Sequence, residues 1–411
     1  MKKKTFFSLL TFAMLFAISC ESPYEPPQKI EPAQPIEMPA ALTTRIAQGN
    51  EFAFNLFNKI LQTTDDKNVF ISPLSVDFAL GMMLNGANSE TREEMKYVLR
   101  HSGLTDVQVN EYYRIMLDAL PTIDPLTKLN IANSIWCNKE FPVRQSFLDV
   151  NARYFDAEIR NLDFSSPTAL QTINAWAAQQ TNNLIEEVLD AIDPDAVMYI
   201  LNAIYFKGIW TTQFDRRNTA KATFFAENGN ENQVYMMHIP EGTFPYYSNA
   251  TAQFLDMSYG NGAFSMTVIL PHEWRTLQDV IDNLSSDYFN DIVENRFRQR
   301  TGVRVYFPRF RTEFEIELND VLIALGMPSA FCVFTADFSG ISDVPLFISS
   351  VFHSTFVEVN EEGTEAAAVT GGTFFLSEAS PFFRADRPFI FVIRENSTGA
   401  ILFMGKMGDI R

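Results

Sequence analysis

Cysteine is scarce in this 411-residue chain, with three in all, and histidine is hardly commoner, with four. Cys137 and Cys332 sit beside Trp136 and Phe331 in apolar runs far apart in sequence, without metal-ligand spacing. They are expected to be buried thiols rather than a disulfide. The histidines, His101, His238, His272 and His353, are scattered, and none falls in an H-E-x-x-H, Cys-His or Gly-x-Ser-x-Gly context. Phosphate-cradling glycine loops and dinucleotide fingerprints are missing too. Nothing in the chain points to a metal, a cofactor or catalysis. Basic residues are also few, 32 against 50 acidic, for a formal charge of −18. With no basic stripe to neutralise phosphates, nucleic acid is excluded as a partner.

Apolar runs long enough to span a bilayer are lacking as well. Lys2, Lys3 and Lys4 precede an apolar run from Phe6 to Ile18, which is too short for a permanent anchor and has signal-peptide form. The run ends Ala17-Ile18-Ser19-Cys20, which looks like a bacterial lipobox, although Ala17 stands where Leu is more usual. Residues 1–19 are therefore expected to be removed and Cys20 to carry lipid, leaving an outer-membrane lipoprotein facing the periplasm or the cell surface; a plain secretory signal is the alternative. Removal takes away three lysines and no acids, leaving a charge of −21. Residues 20–42 are rich in Pro and Glu and should form an extended tether ahead of one domain, residues 43–411.

What is plentiful is apolar and aromatic material, 46% and 13%, including 38 Phe. That suffices for one large core. Ala53, Leu56, Phe57 and Ile60 make one helical face. A short strand, Val69 to Ile71, stops at Ser72-Pro73, and a helix from about Leu74 to Leu84 is apolar nearly all round, hence buried. Thr91 and Glu94 have the spacing of a capping box for the helix that follows. Leu129 to Trp136 reads as a strand, Ile173 to Leu189 as a helix, and Met198 to Gly208 as a long strand. Further strands are expected at Met266 to Leu270, Arg304 to Phe307 and Ile348 to Val359. Pro388 to Arg394 and Ala400 to Met407 should pair as a hairpin through Asn396-Ser397-Thr398-Gly399. Helices early and strands late make a mixed α/β domain, not a doubly wound one.

The most informative stretch is Glu361 to Ser380, E-E-G-T-E-A-A-A-V-T-G-G-T-F-F-L-S-E-A-S. Its β-branched residues and paired glycines argue against a helix, and its side chains are too small to hold a sheet position from the start. It reads as a long loop able to become a strand. Here the chain resembles the serpin family, whose hinge has the form E-x-G-T-E-A-A-A-x-T and precedes an exposed reactive loop. The resemblance extends over roughly residues 43–411 and implies a serpin fold: N-terminal helices, a large central sheet, further sheets and a reactive loop that inserts into the main sheet. The hinge residues would be Glu361, Gly363, Thr364, Glu365, Ala366, Ala367, Ala368 and Thr370.

The resemblance also implies a shutter under the middle of the sheet, formed by Ser72, Ser75, Asn202 and His353. Ser72 and Ser75 would in any fold be good helix caps. Trp210 is similar to the serpin tryptophan at the breach, where insertion begins, and Arg309 matches a basic residue that pairs with Glu361 in some serpins. Thr181-Asn182-Asn183 replaces the usual Gly-Lys pair at a helix end. Inhibition of proteases follows by implication: a target attacks the loop as a substrate and is trapped as an acyl-enzyme. Counting from Glu361 makes Ser377-Glu378 the scissile bond, with Leu376 or Phe375 as register alternatives. Ser377 suits an elastase-like enzyme, or a papain-like cysteine protease reading Leu376; Leu376 or Phe375 suits chymotrypsin- or subtilisin-like ones. No Lys or Arg lies between Glu365 and Arg384, which disfavours trypsin-like targets. No Lys and Arg cluster near residues 104–128 supports a heparin-type cofactor site. The expected protein is a monomer, and the alternatives are a non-inhibitory binding or chaperone module and an unrelated enzyme or sugar-binding lipoprotein.

Overall fold

The computed structural model describes residues 31–101, 103–193, 196–363 and 381–411. Of two compact units, Met1–Glu31 and Pro32–Arg411, the second carries everything that follows. Its first half holds α1 (Thr43–Thr63), β1 (Asn68–Ile71), α2 (Pro73–Leu84), α3 (Ser89–Val98), α4 (Asp106–Ala119), β2 (Lys128–Asn138), α5 (Gln145–Phe155), β3 (Glu158–Leu162), α6 (Ala169–Gln180) and β4 (Met198–Lys207). Strands then dominate: β5 (Ala220–Phe225), β6 (Glu231–Ser248), β7 (Ala252–Tyr259), β8 (Phe264–Pro271), the short helices α7 (Leu277–Ile281) and α8 (Ser286–Asp291), β9 (Arg298–Pro308) and β10 (Phe310–Glu317). The chain ends with α9 (Asn319–Leu325), β11 (Phe352–Val359), β12 (Phe382–Arg384), β13 (Phe389–Glu395) and β14 (Ile401–Met407). The fold is mixed α/β, with N-terminal helices, a large sheet and smaller ones, as expected.

A nine-stranded sheet runs β1-β14-β13-β8-β7-β6-β9-β12, with β5 on β6. Next to the edge strand β1 the hairpin β13-β14 is buried along nearly its whole length, and Phe70 of β1 stacks on Phe403 and Phe391 at ring distances of 5.3 and 5.7 Å. Of two smaller sheets, β3-β2-β4 packs on α2 and β10-β11 packs on β1. The helix α2 buries all but one of its residues, as an all-round apolar segment must.

Several boundaries differ from the sequence reading. The folded unit begins at Pro32 rather than residue 43: Ile36 is buried and its N–H donates to Ser397 Oγ at 2.9 Å, so the end of the presumed tether lies against the β13-β14 turn. Thr91 and Glu94 do not cap a helix. α3 starts at Ser89, Thr91 Oγ1 accepts from the Asp337 N–H, and the Glu94 carboxylate accepts from Ser329. α6 stops at Gln180, not Leu189, because Asn182 and Asn183 take left-handed φ of 55° and 59°. β11 begins at Phe352, not Ile348. Both thiols are free; Cys137 is buried, whereas Cys332 is only half-buried.

Candidate functional site

β4 pairs along its whole length with β2, from Lys128 opposite Lys207 to Cys137 opposite Met198. β11 pairs only with β10, from Phe310 opposite Val359 to Glu317 opposite Phe352. Among the described residues neither has a second partner, so each presents one row of unpaired backbone groups. Met198 to Ala203 of β4 and Phe352 to Ser354 at the start of β11, with Val351 just before it, line one cavity of about 310 Å³, with Ser75, Val76, Ala79 and Met83 of α2 as its floor. The floor is apolar because α2 is apolar all round.

Ser72, Ser75 and His353 meet at this floor. The Ser72 hydroxyl accepts from the Ser75 N–H at 3.2 Å and donates to the Leu402 carbonyl at 2.8 Å. The Ser72 N–H donates to His353 Nε2 at 3.0 Å, which puts the imidazole proton on Nδ1. Asn202 does not join them. Its amide donates to Asn133 Oδ1 at 2.8 Å on the β4 side, and its own Oδ1 is buried without a partner among the described residues. The two halves of the expected shutter thus occupy opposite walls of one cavity.

Burial lowers the His353 pKa to about 4, from an ordinary value near 6.5. In the unfolded chain this imidazole takes up its proton as pH falls below 6.5, while the folded protein resists until about 4. Its contribution is therefore intact above pH 6.5 and lost between 6.5 and 4, for a total of roughly 3 kcal/mol. The thermal midpoint is expected to fall between pH 7 and pH 5, and His353→Asn should flatten that part of the profile. An identical pH slope in the variant would sink the assignment.

The far end of the slot is closed by the segment after β11. The Trp210 N–H donates to the Glu362 carbonyl at 3.1 Å, its indole Nε1 to the Asn360 carbonyl at 3.0 Å, and the Phe214 N–H to the Glu361 carbonyl at 3.0 Å. Trp210 is itself stacked on Tyr259, 4.2 Å apart and 14° from parallel. The Glu361 side chain is 2% exposed and accepts from Arg309 Nε at 2.8 and 2.7 Å and from Thr219 Oγ1 at 2.5 Å. Burial pushes its carboxyl pKa up, but the hydrogen bonds from Arg309 and Thr219 outweigh this and hold it below the usual range. Of the two arrangements open to these charges, an exposed pair and a partly buried one, the second is present, with Glu361 buried and Arg309 half-exposed. Glu362 adds a more exposed ion pair to Arg216.

Gly363 is required by two separate features. Its φ is +68°, and a Cβ there would lie 2.3 Å from the Trp210 nitrogen and 2.5 Å from the Gly208 carbonyl oxygen. Gly363→Ala is expected to cost about 2 kcal/mol or more, which is about 2–3 °C of thermal midpoint in a domain of this size. A midpoint unchanged to within 1 °C would remove the steric argument.

Residues 364–380 lie outside the described residues, and with them Thr364, Glu365, Ala366, Ala367, Ala368, Thr370, Phe375, Leu376, Ser377 and Glu378; Cys20 does also. The chain resumes at Pro381, whose carbonyl accepts from the Arg304 N–H at 3.0 Å, and enters β12 parallel to β9. Thr219, Arg216, Asn360 and Tyr259 were not anticipated. They come from loops and strands remote in sequence, and nothing periodic or motif-like marks them.

Comparison with known proteins agrees with this geometry. The family described as Serpin (serine protease inhibitor) matches residues 47–410. An uncharacterized serpin-like protein of Thermococcus kodakarensis is 36% identical over 366 residues, 87% of this chain and 84% of that one. Human neuroserpin is 33% identical, covering 87% of this chain and 90% of its own. Among solved structures, the native state of the thermophilic serpin tengpin superposes with a TM-score of 0.81 at 32% identity, over 93% of this chain and 97% of that one. Human thyroxine-binding globulin in complex with thyroxine gives 0.80 at 27% identity, over 90% and 100%. On the match across nearly the whole folded unit, the chain belongs to the serpin family.

Proposed function

We propose that the protein inhibits proteases as a suicide substrate, trapping a serine protease as an acyl-enzyme when its loop inserts between β4 and β11. The observation that carries this reading is the pair of unpartnered strand edges on one apolar-floored cavity, with the hinge at the end of that slot. Gly363 lies against Gly208 and Trp210, just past the C-terminal ends of both β11 and β4. A strand turning back from Gly363 would run antiparallel to both walls, the better-bonded arrangement. With a period of two, Thr364, Ala366, Ala368, Thr370, Gly372 and Phe374 would face the floor and Glu365 would face out, so no charge enters. Insertion would gain on the order of ten backbone hydrogen bonds at about 1 kcal/mol each, comparable to the whole stability of an ordinary domain.

A protease that opens Ser377-Glu378 gives its serine oxygen to the Ser377 carbonyl, and the peptide from Glu378 leaves as the amine. Insertion before water reaches that ester carries the enzyme down the slot and distorts it. The loop sequence favours elastase-, chymotrypsin- or subtilisin-like enzymes, with a papain-like cysteine protease as the further case. A second reading, a non-inhibitory binding module, draws on the size of the cavity, about 310 Å³ and within the range of ligand pockets. Export and a lipid anchor on Cys20, with a monomeric inhibitor held off the membrane by the segment before Pro32, complete the proposal; their support is the N-terminal sequence alone. No helix among the described residues is long and apolar enough to cross a membrane.

The decisive experiment incubates the purified protein with neutrophil-type elastase, chymotrypsin, subtilisin and papain, followed by denaturing gels and mass measurement of the released peptide. A gel-stable complex and a peptide beginning at Glu378 or a neighbouring residue are expected. Clean loop cleavage with full protease activity retained would favour the binding module.

A further inference from the structure

An aromatic and cationic cluster on the outer face of the large sheet stands outside the insertion machinery. In the β6-β9 ladder His238 lies opposite Tyr306, and in the β12-β9 ladder Arg384 lies opposite Tyr306 and Phe382 opposite Arg304. The intervening Val305 and Phe383 are fully buried, so alternation turns these five side chains outward. The His238 ring is stacked on Tyr306 at 4.0 Å and 11°, and the Arg384 guanidinium lies 5.1 Å from the Tyr306 ring centre. Phe382 is 5.5 Å from Tyr306, 45% exposed, and covered by the Arg304 guanidinium at 5.4 Å.

The charges on this face are not balanced. Arg384 is paired with Asp386 at 2.7 Å. Arg304 is exposed and makes no ion pair among the described residues, and the same holds for Arg298 and Arg300 earlier on β9. Uncompensated arginines beside a half-exposed Phe are unusual in a chain of formal charge −18. Arg and aromatic residues that are rigidly stacked yet accessible have the composition of interface hot spots.

Position supplies the occupant. Phe382 lies only five residues beyond Ser377, so a protease closed on Ser377-Glu378 has its catalytic centre within about 17 Å of Phe382 even on a fully extended chain. An enzyme domain is wider than that, so its body comes within reach of β12 and the adjoining part of β9. We infer that the Arg304-Phe382-Tyr306 cluster is a docking surface for the body of the attacking protease. It fits an enzyme that carries carboxylates and an apolar rim residue on the leaving-peptide side of its cleft. This rests on the reading of residues 364–380 as a protease-directed loop. It adds a determinant of target choice that the loop sequence does not contain.

The test compares the wild-type protein with Arg304→Glu, Arg304→Lys and Phe382→Ser against elastase, chymotrypsin and subtilisin, measuring the association rate constant and the stoichiometry of inhibition separately. For the enzyme that fits, Arg304→Glu is expected to lower the association rate at least about tenfold at low salt, Arg304→Lys to retain most of it, and the deficit to shrink at 0.5 M salt. Stoichiometry should not move, because it reports insertion and not encounter. Rates equal to wild type within twofold for every enzyme would overturn the assignment. If no covalent complex forms, the inhibitor reading fails, yet the rate of loop cleavage still reports docking and decides this proposal by the same tenfold criterion. A change in oligomeric state on gel filtration with unchanged rates would assign the face to a second copy and likewise overturn it.

Discussion

Thr364→Arg is expected to convert the inhibitor into a substrate, raising the stoichiometry of inhibition from near one protein per protease to well above ten. Thr364 follows the hinge glycine that sits against Trp210, and it is the first residue a returning strand would turn toward the floor of the slot. Beside that hinge the rings of Phe206, Tyr259 and Trp210 pack together, and they offer an arginine no counter-charge. Burying an unpaired cation costs several kcal/mol. Placed at the start of insertion, a cost of about 3 kcal/mol slows the step roughly 100-fold, while hydrolysis of the acyl-enzyme is untouched. The partition between trapping and turnover then moves by the same factor. Thr364→Ser should behave as wild type, and the loop should be cut at the same bond in all three proteins. Unchanged stoichiometry for Thr364→Arg would disprove insertion from this hinge.

The parts of the fold visible in the sequence were those with a local cause. α2 was legible because a helix apolar on every side has nowhere to go but the interior, and β13-β14 because two apolar runs flank a turn tetrapeptide. The Glu361-Arg309 pair was legible only through the family motif around it; no local rule links residues 52 apart. What the sequence concealed was tertiary. Thr91 and Glu94 have capping spacing, but Asp337 and Ser329 claim them, and a side chain can satisfy only so many donors. The apolar pattern from Ile173 to Leu189 continues past the helix because its later residues line the same cavity from an irregular segment, after two left-handed asparagines have turned the chain. Asn202 was expected beside His353. With β4 and β11 apart, its amide finds Asn133 across the β2-β4 ladder instead.

Asp77→Ala is expected to destabilise the folded unit by about 3–5 kcal/mol. Asp77 on α2 and Arg45 on α1 form an ion pair with side chains 3% and 0% exposed. The Tyr113 hydroxyl donates to Asp77 Oδ1 at 2.7 Å, and the Arg45 guanidinium lies 4.8 Å from the Tyr112 ring centre. Burial alone would raise the Asp77 pKa; Arg45 reverses this and holds the carboxyl below its ordinary value. Burial, reinforced by the nearby Arg45, lowers the His101 pKa to about 4, so the imidazole is neutral and cannot replace the lost carboxylate as a partner. Arg45 Nε and Nη1 already have no partner among the described residues, so removing Asp77 strands a whole buried cation. The thermal midpoint should fall by roughly 4–6 °C. An apolar replacement of both residues, Arg45→Met with Asp77→Leu, should recover most of the loss, because a buried pair is worth little more than well-packed hydrocarbon while half of one is costly. A loss below 1 kcal/mol in the single variant would mean that water reaches Arg45. The consequence extends beyond stability: Asp77 lies two residues after Ser75 on the helix whose capping serine holds His353. Loosening α2 from α1 and α4 should therefore also raise the rate at which the protein loses inhibitory activity on standing, and the double variant should restore that rate with the midpoint.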